Sequence, residues 1–297
     1  DNASPVLVID PPPITPIETA MSHDFSHLSR RRIVGAGLGA AGLSALPLSS
    51  AIAQTGEIVV GAAPPITGVF AFAGVGLHQG LNDYCEWRNT KGGVAGRKLR
   101  YIGEDSGYKM DQAMAVFKKL MGAHKPPVFY GDSTAWAKAA AKEVSALGST
   151  LTCSPSFASD LADAKNVPYY FMAGPTYTAM CEILLEYISR TSRGASKPAV
   201  AVVYSDTEFG RDPIPGLKAK AAALQIPIVQ EIVTKPGAVD VSGEVAKLRR
   251  AKPDFVIFHG YVLAPIPEFI KQMREAGMNA TPMGTIWSMD KTTVDAM

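Results

Sequence analysis

The residues of this sequence that are best suited to bind or react with a ligand lie in short loops that carry hydroxyl groups. Ser133 and Thr134 stand at the expected start of a helix, and Ser156 lies in a loop after the next apolar run. Hydroxyls and backbone amides at a helix start can hold an anionic group against the positive end of the helix dipole. Ordinary capping explains either helix-start residue alone equally well, but several such loops at one sheet edge favour a binding site.

Nucleophilic catalysis and nucleotide binding are the alternatives that the sequence raises. Ser133 lacks a G-x-S-x-G elbow, and no histidine is placed by the sequence to activate it. Gly37 to Gly42 match G-x-G-x-x-G, with Glu57 at the distance of a ribose-binding carboxylate. Glu57 opens an apolar run instead of ending a strand, however, and Pro47 interrupts the connecting helix. We expect no catalytic residue and no cofactor.

Metal and disulfide chemistry have little support. His78 and His259 are lone histidines without other metal-binding side chains at ligand spacing. Cys85, Cys153 and Cys181 are too few and too scattered for a zinc site or a disulfide framework. We expect no metal site and three buried thiols, with a single disulfide as the open alternative.

Strand and helix patterns alternate after Gln54, which is the order of a parallel sheet covered by helices. The predicted strands span 58–62, 99–104, 128–130, 150–153, 169–172, 199–204, 228–233, 255–258 and 282–285. The predicted helices span 75–89, 111–121, 135–147, 177–192, 215–224, 242–251 and 266–276. The sequence therefore predicts an α/β fold.

Two lobes are predicted, because the Gly174-Pro175 pair punctuates the chain and a fresh series of strand and helix units follows it. We place the first lobe at 54–174 and the second at 175–297. Open parallel sheets bind ligands beyond the carboxyl ends of their strands. The loops at 64–74, 131–136 and 154–159 would meet at such an edge.

An export signal is predicted ahead of these lobes. Arg30, Arg31 and Arg32 precede an apolar Gly/Ala/Leu run that ends in a small-residue cleavage site with Ala51 and Ala53. We predict a signal peptide over 21–53, with twin-arginine export favoured over the general secretory route. Residues 1–20 are rich in proline, and we expect them to be disordered upstream sequence.

Charge and hydropathy bear on the remaining classes of partner. The net charge is only +2, and no basic stripe carries interleaved aromatics, which disfavours nucleic-acid binding. Beyond the signal, no apolar run approaches the roughly 20 residues that span a bilayer. We expect a soluble monomer.

Several collinear motifs resemble one protein family. They are Pro65 to Gly68, Asn89 to Leu99 with its Gly-Gly-Val-x-Gly-Arg turn, Glu104-Asp105, Gly131 to Ala135, Ser154 to Ser156, Tyr204 to Gly210, Lys252 to Val256 and His259 to Tyr261. Together they are similar to type I periplasmic solute-binding proteins, and specifically to the branched-chain amino-acid receptors of ABC importers. The resemblance spans almost all of the chain after Gln54.

The resemblance implies two Rossmann-like lobes with parallel sheets that close over a ligand by a hinge motion. The expected ligand is an amino acid or a related carboxylate or amide, and the expected partner is an ABC permease in the inner membrane, which places the protein in the periplasm. The site residues carried over from the family are Ser133, Thr134 and Ala135 for the ligand carboxylate, Ser156, Phe157 and Ala158 for its ammonium group, and Phe209 and Tyr261 from the second lobe. Trp287 is added as a residue of the same site.

Two departures from the family pattern bear on the ligand. Ala158 stands where a threonine is common, and Ile286-Trp287 stands where an acidic residue usually meets the ammonium group. A buried cation without that carboxylate would cost several kcal/mol in a dry cleft. We therefore hypothesise a ligand other than a plain branched-chain amino acid, such as an aromatic or other carboxylate.

Two further expectations follow from the resemblance. A ligand-sensing module of a signalling receptor is the alternative function, and a hydrolase is the less favoured one. In the family, the chain returns to complete the first lobe, so we expect this sequence to lack the C-terminal part of each lobe.

Overall fold

The structure is a computed structural model of the chain, and it describes residues 56–192, 197–235, 238, 240–260 and 266–289. The predicted leader and signal peptide, with Arg30, Arg31, Ala51 and Ala53, lie outside the described residues. Tyr261 lies outside them as well.

The described chain alternates strands with helices as predicted. The strands are β1 (Ile58–Ala62), β2 (Leu99–Gly103), β3 (Val128–Tyr130), β4 (Leu151–Cys153), β5 (Val200–Ser205), β6 (Ile228–Thr234), β7 (Phe255–His259) and β8 (Thr281–Gly284). The helices are α1 (Ala71–Thr90), α2 (Met110–His124), α3 (Thr134–Leu147), α4 (Tyr177–Thr191), α5 (Glu208–Arg211), α6 (Ile214–Ala223), α7 (Ser242–Ala251) and α8 (Ile266–Glu275), with a short 3₁₀ turn at Ser159–Ala162.

The strands form two four-stranded sheets with the same topology. Their orders are β2-β1-β3-β4 and β6-β5-β7-β8, and every neighbouring pair is parallel. In each sheet the chain leaves the first strand toward one edge and later continues toward the opposite edge. The loops after β1 and β3 therefore diverge, as do those after β5 and β7. Such a switch point opens a crevice at the carboxyl ends of the strands.

Buried strands and covering helices explain why each sheet is stable. All six residues of β5 are buried, as expected for a central parallel strand covered on both faces. In the first sheet, the fully buried Trp136 of α3 stacks on Phe129 of β3 at a ring-centroid distance of 5.5 Å. Gly131 makes this possible, because a Cβ at that position would lie 1.9 Å from the Trp136 ring. The ring thus fixes the start of α3 against the end of β3.

The predicted strand at 169–172 is wrong. Tyr170 forms only an isolated parallel bridge to Thr152. Thr152 donates to the Tyr169 carbonyl at 2.7 Å and accepts the Phe171 N–H at 3.0 Å, and the pairing goes no further. The Tyr170 N–H closes a turn on the Val167 carbonyl at 3.2 Å, and Pro168 has no N–H to extend a ladder. The first sheet therefore ends at β4, and the Tyr170 hydroxyl bonds Ser154 and Ser156 in the neighbouring loop.

The chain leaves the first sheet at Cys153 and enters the second at Val200. The lobe boundary between 174 and 175 lies in this interval and stays a prediction. Cys85, Cys153 and Cys181 are buried free thiols. No helix in the described part of the chain is long and apolar enough to cross a membrane.

Candidate functional site

A cleft of about 120 Å³ lies where loops of the two sheets face each other. Its lining residues are Tyr108, Met110, Ser133, Thr134, Ala135, Thr207, Glu208 and Phe209. Ser133 to Ala135 follow β3 of the first sheet, whereas Thr207 to Phe209 follow β5 of the second. Four predicted site residues, Ser133, Thr134, Ala135 and Phe209, therefore line one space.

The start of α3 supplies hydrogen-bond donors to this cleft. Ser133 is the N-cap, and its Oγ accepts the Trp136 N–H at 3.1 Å. The same hydroxyl donates to Asp132 Oδ1 at 2.7 Å, so its proton is already engaged. The amides of Thr134 and Ala135 have no partner within the helix, because the first N–H groups of an α-helix lack an acceptor one turn back. These two amides can bind an anionic group.

Asp132 lies directly before these donors and is fully buried. Burial raises the pKa of its carboxyl, which hydrogen bonds from Ser133 and Ser106 only partly oppose. Within the described part of the chain, Asp132 Oδ2 has no hydrogen-bond partner. Burial therefore disfavours the charged form of this carboxyl beside the start of α3.

The second predicted loop lies behind the first. The hydroxyls of Thr134 and Ser156 share a hydrogen bond of 2.7 Å, and Ser156 is completely buried. Tyr177 lies beside both loops. Its N–H donates to the Phe157 carbonyl at 2.8 Å. Its hydroxyl accepts a hydrogen bond from the indole N–H of Trp287 at 3.3 Å. Burial raises the pKa of Tyr177 to about 12, so this hydroxyl stays protonated at neutral pH.

Aromatic rings occupy the crevice next to the cleft. Phe157 packs edge-on against Tyr177 with a centroid distance of 5.7 Å, and Phe209 does so at 5.0 Å. Trp287 lies 5.3 Å from Phe70 and 6.4 Å from Phe157. Ala158 is fully buried. The structure therefore places Ser156, Phe157, Ala158 and Trp287 in the packing behind the cleft, not on its lining.

His259 lies in this packing as a neutral ring bonded to Phe209 and Thr285. Its Nε2 lies 3.0 Å from the carbonyl of Phe209, and its Nδ1 lies 2.8 Å from Thr285 Oγ1. A carbonyl can only accept, so Nε2 carries the proton and Nδ1 accepts from Thr285. Complete burial lowers the pKa of His259 to about 4, although the bond to Phe209 opposes the shift. The histidine thereby holds Phe209 in place.

A charged cluster connects the sheets beside the cleft. Lys138 of α3 lies 3.3 Å from Asp160, 3.5 Å from Glu208 and 3.6 Å from Asp212. Burial lowers the pKa of Lys138, but the Asp160 and Asp212 carboxylates outweigh it and the net shift is upward. Glu208 is thus shared between the ion cluster and the cleft lining.

Sequence reasoning missed Tyr108 and Tyr177. Tyr108 follows β2, and the rule that directs attention to loops after parallel strands applies to that loop as well. Tyr177 was predicted only as the start of a helix, because its contacts are made with residues distant in the sequence. Among the described residues, no group of three or more His, Cys, Asp or Glu could hold a metal ion.

Comparison with known proteins shows the family. A family model described as periplasmic binding protein matches residues 57–297, and the chain belongs to this family. It is similar to the amino acid binding protein of Pseudomonas aeruginosa, with 24% identity over 80% of this chain and 64% of the relative. It is also similar to Leu/Ile/Val-binding protein homolog 7 of Brucella melitensis, with 24% identity over 77% of this chain and 58% of the relative.

Solved structures show the same fold. A branched chain amino acid ABC transporter protein from Thermus thermophilus with bound valine superposes with a TM-score of 0.73 at 23% identity, covering 82% of this chain and 62% of that one. A fatty acid ABC transporter substrate-binding protein from Thermomonospora curvata gives 0.71 at 21% identity, covering 80% and 60%. The chain thus spans about six-tenths of the length of the proteins that it matches.

Proposed function

We propose that this protein is the extracytoplasmic binding component of an ABC importer and that it captures a small carboxylate in the cleft. The observation that carries the proposal is that loops of both sheets line one space, with Ser133 to Ala135 on one side and Thr207 to Phe209 on the other. A ligand that touches both sides stabilises only the closed arrangement of the lobes.

The start of α3 is the proposed carboxylate site. The amides of Thr134 and Ala135 bind the anion, while Ser133 caps the helix. The raised pKa of the buried Asp132 carboxyl weakens its repulsion of an anion. Phe209 closes over the ligand, and Tyr261 is proposed to close with it. Ser156 bonds the Thr134 hydroxyl from behind and accepts the Ala158 N–H. Phe157 packs on Tyr177, whose hydroxyl accepts the Trp287 indole N–H.

A plain branched-chain amino acid lacks a strong cation partner in this cleft. Of the residues that line it, only Glu208 is acidic, and its carboxylate is 63% exposed and lies 3.5 Å from Lys138. Ile286 is exposed, and Trp287 donates its indole N–H to Tyr177. We therefore favour a carboxylate ligand whose recognition does not depend on an ammonium group.

Delivery completes the proposed function. The chain is exported through its signal at 21–53, acts as a monomer in the periplasm, and presents the closed, ligand-bound lobes to a membrane permease. No bond of the ligand is made or broken, since binding and release require only opening and closing of the cleft.

A charge placed at the anion site tests this proposal. Ala135→Asp puts a carboxylate on the first turn of α3, where an acid stabilises the helix but repels an anionic ligand. Calorimetric titration with a panel of amino acids and carboxylates should show one ligand per chain for the wild type and binding weakened at least tenfold in Ala135→Asp.

The matched control is Ala139→Asp, which places the same charge on the exposed face of the same helix. It should bind the ligand like the wild type. Equal binding by Ala135→Asp would contradict the carboxylate site, and conversion of a ligand into a product would contradict the binding function.

A further inference from the structure

Tyr108 has a backbone conformation that side chains rarely adopt. Its φ is +58°, in the left-handed region, and the preceding Gly107 has the same φ. A residue other than glycine costs roughly 1–2 kcal/mol in this region. A bulky residue held there at the edge of a cleft is a candidate for function, because the fold must hold it against that cost.

Asp105 holds the Tyr108 loop against the loop that follows β1. Its carboxylate accepts the Thr67 N–H at 3.0 Å, the Thr67 hydroxyl at 2.6 Å and the Gly107 N–H at 2.9 Å. Ser106 Oγ accepts the Tyr108 N–H at 3.2 Å. These bonds fix the backbone on both sides of Tyr108.

A close approach of two glycines strengthens the same junction. Gly68 has φ +85°, and a Cβ on it would lie 2.4 Å from the carbonyl oxygen of Gly107. No larger residue at position 68 would leave the loops at this distance. The left-handed conformation of Tyr108 therefore depends on contacts between two separate strand-to-helix loops.

Tyr108 lines the cleft, and other aromatic rings support its side chain. It stacks on Phe70 with a centroid distance of 4.9 Å and an interplanar angle of 19°, and Phe70 is supported edge-on by Phe72 and Trp287. Tyr108 is half-buried and lines the cleft together with Met110 and Phe209. These ring contacts and the hydrogen bonds of the loop together hold Tyr108 at the cleft.

We propose that Tyr108 is a specificity-determining residue whose ring selects a small carboxylate with an aromatic group over an aliphatic carboxylate of similar size. The inference rests on the proposed function, because the carboxylate must first be held at the start of α3. An aromatic group can then stack on Tyr108 or meet it edge-on, and the sulfur of Met110 adds a favourable contact with a ring. A contact between two aromatic rings corresponds to an affinity about three- to tenfold higher than that of a ligand with an aliphatic group.

The test compares matched ligands on three proteins. Phenylacetate is paired with 4-methylpentanoate, and L-phenylalanine is paired with L-leucine; each dissociation constant is measured by calorimetry. The proteins are the wild type, Tyr108→Phe and Tyr108→Asn. Asparagine adopts the left-handed conformation more readily than most residues, so this variant removes the ring with little added backbone strain.

The wild type and Tyr108→Phe should bind the aromatic member of a pair at least threefold more tightly than the aliphatic member. In Tyr108→Asn the ratio should approach one, whatever the affinity for the aliphatic carboxylate. A preference that persists in Tyr108→Asn, or a wild type that binds both members equally, overturns this inference and leaves the proposed function intact. A wild type that binds no member of the panel overturns both.

Discussion

The carboxylate of Asp212 accepts the backbone N–H of Ser159 at 3.0 Å and the Ser159 hydroxyl at 3.2 Å. Ser159 follows β4 of the first sheet, whereas Asp212 follows β5 and α5 of the second. The Asp212 side chain is only 6% exposed and also lies near Lys138. Burial raises its pKa, and the bonds to Ser159 and the Lys138 charge oppose the rise. One buried carboxylate thus ties the two sheets together next to the cleft.

Asp212→Ala should destabilise the protein by about 1–2 kcal/mol, because the partly buried N–H of Ser159 then loses its acceptor. Urea denaturation at neutral pH measures this change. Asp160→Ala removes another partner of Lys138 whose side chain is 60% exposed, and exposed ion pairs contribute little. This control should change the stability by less than about 0.5 kcal/mol. Similar losses in both variants would show that Asp212 is no more than one member of a surface cluster.

Gly131→Ala should lower the free energy of unfolding by about 1–3 kcal/mol through overpacking. The new methyl group would lie 1.9 Å from Trp136, which is fully buried and cannot move aside. Gly122 is an exposed helical glycine with no atom within 4 Å of an added Cβ, so Gly122→Ala should instead stabilise the protein by up to about 1 kcal/mol. Thermal melting of both variants measures the two effects. A neutral Gly131→Ala would mean that Trp136 is not fixed by this contact.

The lowered pKa of His259 predicts that the folded protein loses stability in mild acid. Its pKa is lowered from 6.5 to about 4 in the folded protein, so only the unfolded chain takes up the proton between these values. The contribution of neutral His259 to the free energy of unfolding is complete above pH 6.5 and is lost as the pH falls toward 4. Between pH 7.5 and pH 5.0 this loss amounts to about 2 kcal/mol.

Urea denaturation at the two pH values checks this prediction in the wild type and in His259→Gln. Glutamine retains an N–H donor for the Phe209 carbonyl but does not titrate. The difference between pH 7.5 and pH 5.0 should therefore shrink by about 2 kcal/mol in the variant. An unchanged difference would assign the acid sensitivity to other groups.

The order of elements could be predicted because the local patterns are strong. Strand 58–62 and helix 242–251 have the bounds that β-branched runs and apolar periodicity indicate. The strand predicted at 169–172 failed because the segment pairs with β4 at Thr152 alone, in a single parallel bridge. Local sequence predicts an extended segment, but only the neighbouring backbone decides whether a ladder forms.

The site was predictable only in part, for a related reason. Ser133 carries a local signal, since a serine before a helical pattern is a typical N-cap. Tyr108 has its conformation because Asp105 bonds Thr67, which is 38 residues away. Phe209 is held by a histidine 50 residues further along the chain. Such long-range bonds leave no periodic signature in the sequence.

The location of a bound carboxylate tests the proposed function most directly. A crystal structure of the full chain with the tightest carboxylate from the titration panel should show the carboxylate within about 3 Å of the Thr134 and Ala135 amides. Phe209 should contact the same molecule from the other side. A carboxylate bound away from the start of α3, or bound to residues of one sheet only, would contradict ligand capture between the two lobes.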